Sequence, residues 1–425
     1  MNKILKVLKN KSNRNIFTLL LGTSTAQAIP VVASLILTRL YTPEEYGVLA
    51  VFTSIITILG SIVTLRYELA ILVPAKEQDA VNVSVLSIIS TFLFSIITFI
   101  VLFLFKETIL EVFKIQELGN WLFLVPLAIL FMGLYNSLNY LATRVGLFKV
   151  ISQTRVYQTL SGSLIQIILG IMNFGVGGLI IGATLTYFVG NLKIVGKLLD
   201  SYQDNFKQVK RTDLVYNAKK YIDYPKYNVP STMFNNMSIQ LMSFIIPAFY
   251  SASLLGQFAL SQRIIILPMR VIGNAITQVF LNEASSELKE KNKTINAFLS
   301  TFKKLLFVSI PLYLCLFFSV EYLITTVYGE TWNIAGKISK ILVILLFFRF
   351  VVSPLTNVLN LYEKQKIILY WQISLLLLTG LSLIISIYGH LNFYHFLSLY
   401  VGFLSCDYIV IFFICFYFSK KEKNV

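Results

Sequence analysis

Apolar and polar positions fall along this chain in long blocks rather than in residue-by-residue alternation. The blocks predict helices near 16–39, 46–65, 81–105, 121–142, 156–174 and 176–195, then near 228–250, 255–280, 302–326, 338–360, 366–388 and 393–418. Unbroken apolar runs near or beyond about 18 residues are the mark of membrane-spanning helices. Barrel strands, with alternating segments of about ten residues, would not produce them. The first run is too long for a signal-peptide core and lacks a small-residue cleavage site after it. Only "NFGVGG" separates the fifth and sixth predicted spans, and that glycine-rich break suits a tight reversal better than one continuous helix. The pattern predicts an all-α polytopic membrane protein with twelve transmembrane helices.

The longest polar stretch, "KLLDSYQDNFKQVKRTDLVYNAKKYIDYPKY" at 197–227, divides six spans from six. The expected organisation is an N-terminal lobe over 1–200, a cytoplasmic linker over 201–227 and a C-terminal lobe over 228–425. Because six is even, both halves enter the membrane in the same direction, as in a parallel repeat about an axis along the membrane normal. A short internal match agrees with this. "LTRLYTPEEYGVLAVF" and "IPAFYSASLLGQFALS" pair Tyr41 with Tyr250, Gly47 with Gly256 and Ala50 with Ala259, all at an offset of 209 residues.

Composition supports the membrane reading and charge orients it. Of 425 residues, 56% are hydrophobic and 13% charged, against about 25% charged in a soluble domain, and the mean hydropathy is +0.74. With the N-terminus inside, the interior segments collect 28 of the 36 Lys and Arg, and the exterior loops hold only Lys106, Lys114, Lys337 and Lys340. The positive-inside rule then places both termini in the cytoplasm. The net charge of +16 is explained by interior loops facing anionic lipid headgroups, with no nucleic-acid partner. Cys315, Cys406 and Cys415 lie in apolar segments as small packing residues. Only His390 and His395 offer imidazoles, so no histidine-based metal or catalytic centre and no cofactor is expected.

A charge at mid-bilayer costs about 2.5–3.5 kcal/mol on the insertion scale, so intramembrane charges normally face other helices or water. At about 100° per residue the eighth span places Arg263, Arg270 and Asn274 within a narrow arc, and Pro268 between the arginines should bend the helix there. The tenth carries Arg349, Ser353, Asn357 and Asn360; the first carries Thr23, Gln27, Ser34 and Thr38. Asn235 lies on the seventh, and Arg66 and Glu68 at the inner end of the second. Cavity lining and a buried ion pair are the two readings of Arg263, Arg270 and Arg349. Arg39 and Arg66 are near span ends, where snorkelling to headgroups is the default. Asp407, in "FLSCDYIVIFF", either pairs with an arginine or binds a coupling cation; Glu68 is a second such candidate. Serine and threonine stripes are more often close helix contacts than ligand groups.

Four strings in order, "LTRLYTPEEYGVLAVF", "RYELAILVPAKEQDA", "QRIIILPMRVIGNAITQVFLNEASSE" and "YGETWNIAG", resemble polysaccharide-biosynthesis flippases of the Wzx type, in the multidrug/oligosaccharidyl-lipid/polysaccharide exporter superfamily. The resemblance implies a V-shaped, MATE-like transporter of two six-helix lobes in the bacterial plasma membrane. It also implies transfer of an undecaprenyl-pyrophosphate-linked oligosaccharide, such as an O-antigen or capsule repeat unit, from the cytoplasmic to the outer leaflet by alternating access. A glycan polymerase and a chain-length regulator are the implied protein partners. On this reading Arg270 and Arg263, then Arg349, Arg39 and Arg66, contact the pyrophosphate, because guanidinium forks suit phosphate oxygens. Asn235, Gln27, Asn274 and Asn357 hydrogen-bond sugar hydroxyls.

A peptidoglycan-precursor flippase is an alternative; such proteins usually carry two further C-terminal helices, whereas this sequence runs from the twelfth span into "SKKEKNV". A cation-coupled multidrug exporter is another, though a lumen rich in arginine would repel cationic drugs. A membrane glycan polymerase or ligase would need reactive groups on large exterior loops, and no nucleophile–base pair, P-loop or metal-ligand spacing is present in the sequence. The chain is therefore expected not to be an enzyme.

Overall fold

The computed structural model describes residues 11–113 and 115–422, with a few side chains, among them those of Arg270 and Asn274, outside the description. Every regular element among the described residues is helical. Eight of these helical segments are long and apolar enough to cross a membrane, at the positions of the first, third, fourth, sixth and last four expected spans. The other four expected spans are shorter, more polar or broken, for reasons given below.

Contacts divide the chain into one compact unit ending at Gly256 and a second beginning at Gln257. The segment expected as the seventh span thus packs with the first unit. The linker expected at 201–227 lies inside this first unit.

In the first unit, α1 (Lys11–Leu40) and α2 (Pro43–Gly60) form the hairpin whose turn carries "YTPEEYG". The charged residues of that turn start a helix. The Glu45 amide donates to Thr42 Oγ1 at 3.3 Å and the Thr42 amide donates to Glu45 Oε2 at 2.8 Å, a capping box with Pro43 opening the first turn. Its 18 residues include Pro43, Glu44 and Glu45 in the first turn, which leaves its apolar part shorter than a full span. It ends at Gly60, and turns follow through Leu65 (φ 50°) and Arg66 (φ 62°), both left-handed. Beyond them lie α3 (Glu77–Phe113), α4 (Val125–Arg144), α5 (Phe148–Ile171) and α6 (Val176–Lys207). The α5–α6 break at "NFGVGG" is a tight reversal, with Asn173 at φ 56° and Gly175 at φ 58°. Then follow α7 (Arg211–Lys220), and α8 (Val229–Gln240) and α9 (Met242–Phe249), which divide the expected seventh span.

The internal match is realised as a contact. A Cβ on Gly47 would fall 2.0 Å from the carbonyl oxygen of Ala252, and one on Gly256 would fall 1.7 Å from that of Pro43. Residues 43 and 252 are themselves separated by the repeat offset, so each glycine meets the equivalent of the other's partner. Only glycine permits backbones this close. The caps are equivalent too. Ser251, the counterpart of Thr42, accepts from the Leu254 amide at 3.1 Å, as Thr42 accepts from that of Glu45.

In the second unit α10 (Ala252–Ile265), whose first residues belong to the first unit, is followed by a π-helical turn at Met269–Gly273 and by α11 (Asn274–Lys291). Pro268 has no N–H to donate to the preceding turn, and the wide turn after it breaks the helical phase. The even seven-and-four spacing of Arg263, Arg270 and Asn274 therefore does not lie on one regular helix. Next come α12 (Ile295–Tyr328), α13 (Asn333–Val352), α14 (Gln365–Tyr388) and α15 (Phe393–Lys420). Gln257 fixes α10 against the start of α13, donating to Thr331 O at 2.7 Å and accepting from the Ala335 amide at 2.9 Å. Buried Glu287 caps α12, accepting from the Ala297 amide at 2.7 Å and from Asn296 Nδ2 at 2.6 Å.

Candidate functional site

The interior of the first unit holds a cationic polar cluster built on four helices. The α5 helix starts at Phe148, after Gly146 at φ 78°, so Arg155 lies about two turns inside it. Its guanidinium Nη1 donates to Thr23 Oγ1 of α1 at 2.6 Å. It is also near enough to the Tyr135 hydroxyl of α4 to act on it electrostatically. Tyr135 packs on Tyr187 of α6, with ring centroids 6.1 Å apart. Among the described residues no carboxylate pairs with Arg155.

Two oxygens around this cluster, Gln27 Oε1 and Asn139 Oδ1, are buried without a hydrogen-bond partner, and the Tyr135 hydroxyl beside Arg155 has no described acceptor. Gln27 is one turn from Thr23 on α1, and Asn139 one turn from Tyr135 on α4. Buried polar atoms are normally satisfied, so several orphans beside an unpaired cation point to a missing ligand or water.

Arg66 and Glu68, also in the first unit, form an ion pair of 3.0 Å in which the carboxylate is almost wholly buried. Glu68 further accepts from the Thr64 hydroxyl, and Arg66 donates to Ser61 O at 3.4 Å. Burial pushes the Glu68 carboxyl above its usual range, and the Arg66 guanidinium and Thr64 hydroxyl pull it back. Arg39 is exposed in the last turn of α1, and Asn235 is half-buried on α8.

In the second unit Arg349, half-buried near the end of α13, lines a cavity of about 30 Å³ with Gln262 and Tyr400. That volume holds about two waters. The Arg349 charge also acts on the hydroxyls of Tyr313 and Tyr408, and Tyr313 Oη is buried without a partner. Arg263 is half-buried in the last turn of α10. Arg270 lies in the π-helical turn and Asn274 opens α11, with both side chains outside the description. Asn357 donates to Pro354 O at 3.0 Å. Asp407 is half-buried on α15 and accepts from Ser374 Oγ of α14 at 3.0 Å, and no described arginine pairs with it.

Sequence reasoning missed Arg155. It assigned that residue to the loop before a span expected at 156, because "FKVISQTRVYQ" is too polar for a hydropathy pattern to include. The signal that could have found it is Gly146, a helix-boundary residue two positions before the true start.

The apolar helices described above define a multi-pass helical membrane protein. The structure of the lipid II flippase MurJ in an inward closed conformation superposes with a TM-score of 0.72, at 15% identity, covering 95% of this chain and 87% of that one. The chain belongs to the polysaccharide biosynthesis protein family, which it matches over residues 36–337. It is similar to the teichuronic acid biosynthesis protein TuaB of Bacillus subtilis (strain 168), 25% identical over 231 residues, 53% of this chain. That match spans about half, 48%, of the length of TuaB. It is also similar to an uncharacterized membrane protein in the cps region of Klebsiella pneumoniae, 21% identical over 349 residues, covering 82% of this chain and 70% of that protein.

Proposed function

We propose that this protein is a flippase that moves an undecaprenyl-pyrophosphate-linked oligosaccharide from the cytoplasmic to the outer leaflet of a bacterial plasma membrane. Twelve spans in two six-helix lobes, related by the parallel repeat and with both termini in the cytoplasm, work by alternating access. The observation that carries this reading is the pairing of a polysaccharide-biosynthesis family with membrane helices whose half-buried arginines, Arg155 and Arg349, have no acid partner among the described residues. An anionic lipid-linked glycan supplies the missing charge. Cationic drugs would meet repulsion at both places. Arg349, Arg263 and Arg270 are anion contacts of the second unit; Asn235, Asn274 and Asn357 are sugar contacts. Asp407 is the candidate for a coupling cation.

The test is deletion of the gene followed by labelling of lipid-linked glycan on each leaflet. Accumulation on the cytoplasmic side, reversed by the wild-type gene, supports the reading. Unchanged glycan together with raised drug sensitivity refutes it. Accumulation of peptidoglycan precursor in place of polysaccharide repeat units assigns the other flippase substrate, a reading favoured by the fold likeness to the lipid II flippase.

A further inference from the structure

We infer that the Arg155 cluster of the first unit is a subsite for an acidic sugar of the transported glycan. The inference rests on the flippase reading and names a substrate class for it.

The charge balance points to a single anion. A pyrophosphate diester carries two negative charges, and the cluster offers one guanidinium. In a membrane interior the uncompensated second charge would be costly. A sugar carboxylate carries one charge and matches one guanidinium fork through two parallel N–H···O bonds.

The remaining groups are neutral and suit a hydroxyl-bearing ring. Tyr135 is 7% exposed and its hydroxyl donates to no described acceptor. It stands within electrostatic reach of Arg155, so a ligand oxygen bound by the guanidinium can also accept from this hydroxyl. The orphaned Gln27 Oε1 and Asn139 Oδ1 are acceptors, and sugar hydroxyls are donors. The Tyr135–Tyr187 pair supplies aromatic surface, which accommodates the C–H face of a pyranose.

Depth agrees with uptake from one side of the membrane. Arg155 is seven residues from the start of α5 at Phe148, about 10 Å along the helix. Tyr135 is nine residues before the end of α4 at Arg144, a similar depth at about 1.5 Å per residue. With the positive-inside orientation both measure from the cytoplasmic face, the side from which the proposed flippase takes its substrate.

The experiment uses the purified full-length protein in nanodiscs. Thermal unfolding is followed at constant ionic strength while sodium glucuronate, glucose or inorganic pyrophosphate is titrated. Glucuronate is expected to raise the midpoint and glucose is not. Arg155→Gln, judged folded by an unchanged midpoint without ligand, is expected to weaken the glucuronate effect by about tenfold or more, as loss of a charged hydrogen-bonded pair implies. Tyr135→Phe removes only the hydroxyl, leaves the fold, and is expected to weaken it by a smaller factor. A shift with pyrophosphate but none with glucuronate, or a glucuronate shift that survives Arg155→Gln, overturns the inference. A null response to all three does so as well. None of these results alters the leaflet assay, so glycan accumulation in the deletion strain with no glucuronate response removes the acidic-sugar subsite and leaves the flippase reading standing.

Discussion

Replacing Arg66 by Ala tests whether that residue serves structure or substrate. Its guanidinium is 3.0 Å from a Glu68 carboxylate whose side chain is 2% exposed, while Arg66 itself keeps 23%. Truncation leaves the buried carboxylate with the Thr64 hydroxyl as its remaining side-chain donor. Breaking a buried pair from one side costs about 3–5 kcal/mol, because the other charge is stranded. Alanine at φ 62° relieves none of the left-handed strain. The loss should also depend on pH. Burial already pushes the Glu68 carboxyl above its ordinary range and Arg66 holds it down, so removing Arg66 moves it further up. The native state of Arg66→Ala then binds a proton that the unfolded chain has released, and stability falls as pH rises through the native pKa. The deficit is therefore smallest in acid and grows toward neutral pH. Adding Glu68→Gln to Arg66→Ala removes the stranded charge and should recover more than half of the loss at neutral pH. Denaturant unfolding of the protein in nanodiscs at both pH values measures all of this. A deficit under about 1 kcal/mol, or one that does not change with pH, refutes the reasoning.

Gly256→Ala drives a methyl to within 1.7 Å of the Pro43 carbonyl and should destabilise by about 1–3 kcal/mol or more. Gly47→Ala should act on the same contact, so the double variant should fall short of the sum in denaturant unfolding. Glu287→Ala strips the cap of α12 and should cost about 1–3 kcal/mol at neutral pH, read by the same unfolding measurement. Arg349→Gln should lower glycan export at unchanged protein level, measured as lipid-linked glycan on each leaflet; unaltered export removes Arg349 from the substrate path.

The sequence made most of the fold legible because lipid demands long apolar runs. Spans such as α3 and α12 could be read directly, and the "NFGVGG" break was read correctly as a reversal between α5 and α6. What escaped were elements whose helical state depends on neighbours. The polar start of α5 is helical because α1, α4 and α6 enclose it, and a hydropathy pattern places its boundary too late, hiding Arg155. In the eighth expected span the pattern assumed one regular helix, and the wide turn after Pro268 changed the phase between Arg263 and Asn274. The capping box at Thr42 and Glu45 likewise shows only once the helix start is in place. Arg66 and Glu68 were adjacent enough in sequence to suggest a pair, yet the left-handed backbone that joins them carries no sequence signal of its own, since neither Leu65 nor Arg66 favours it.

The reciprocal seating of Gly47 on residue 252 and Gly256 on residue 43 is the geometry that two identical subunits adopt across a two-fold axis. Each glycine is seated on the turn that carries the other, so a side chain added at either position pushes on both turns at once. The first carries the acidic partner of its cap, Glu45; the second holds Leu254 at the equivalent place and has only the serine. The two turns therefore constrain each other: neither can take a larger residue at its glycine without its counterpart giving way.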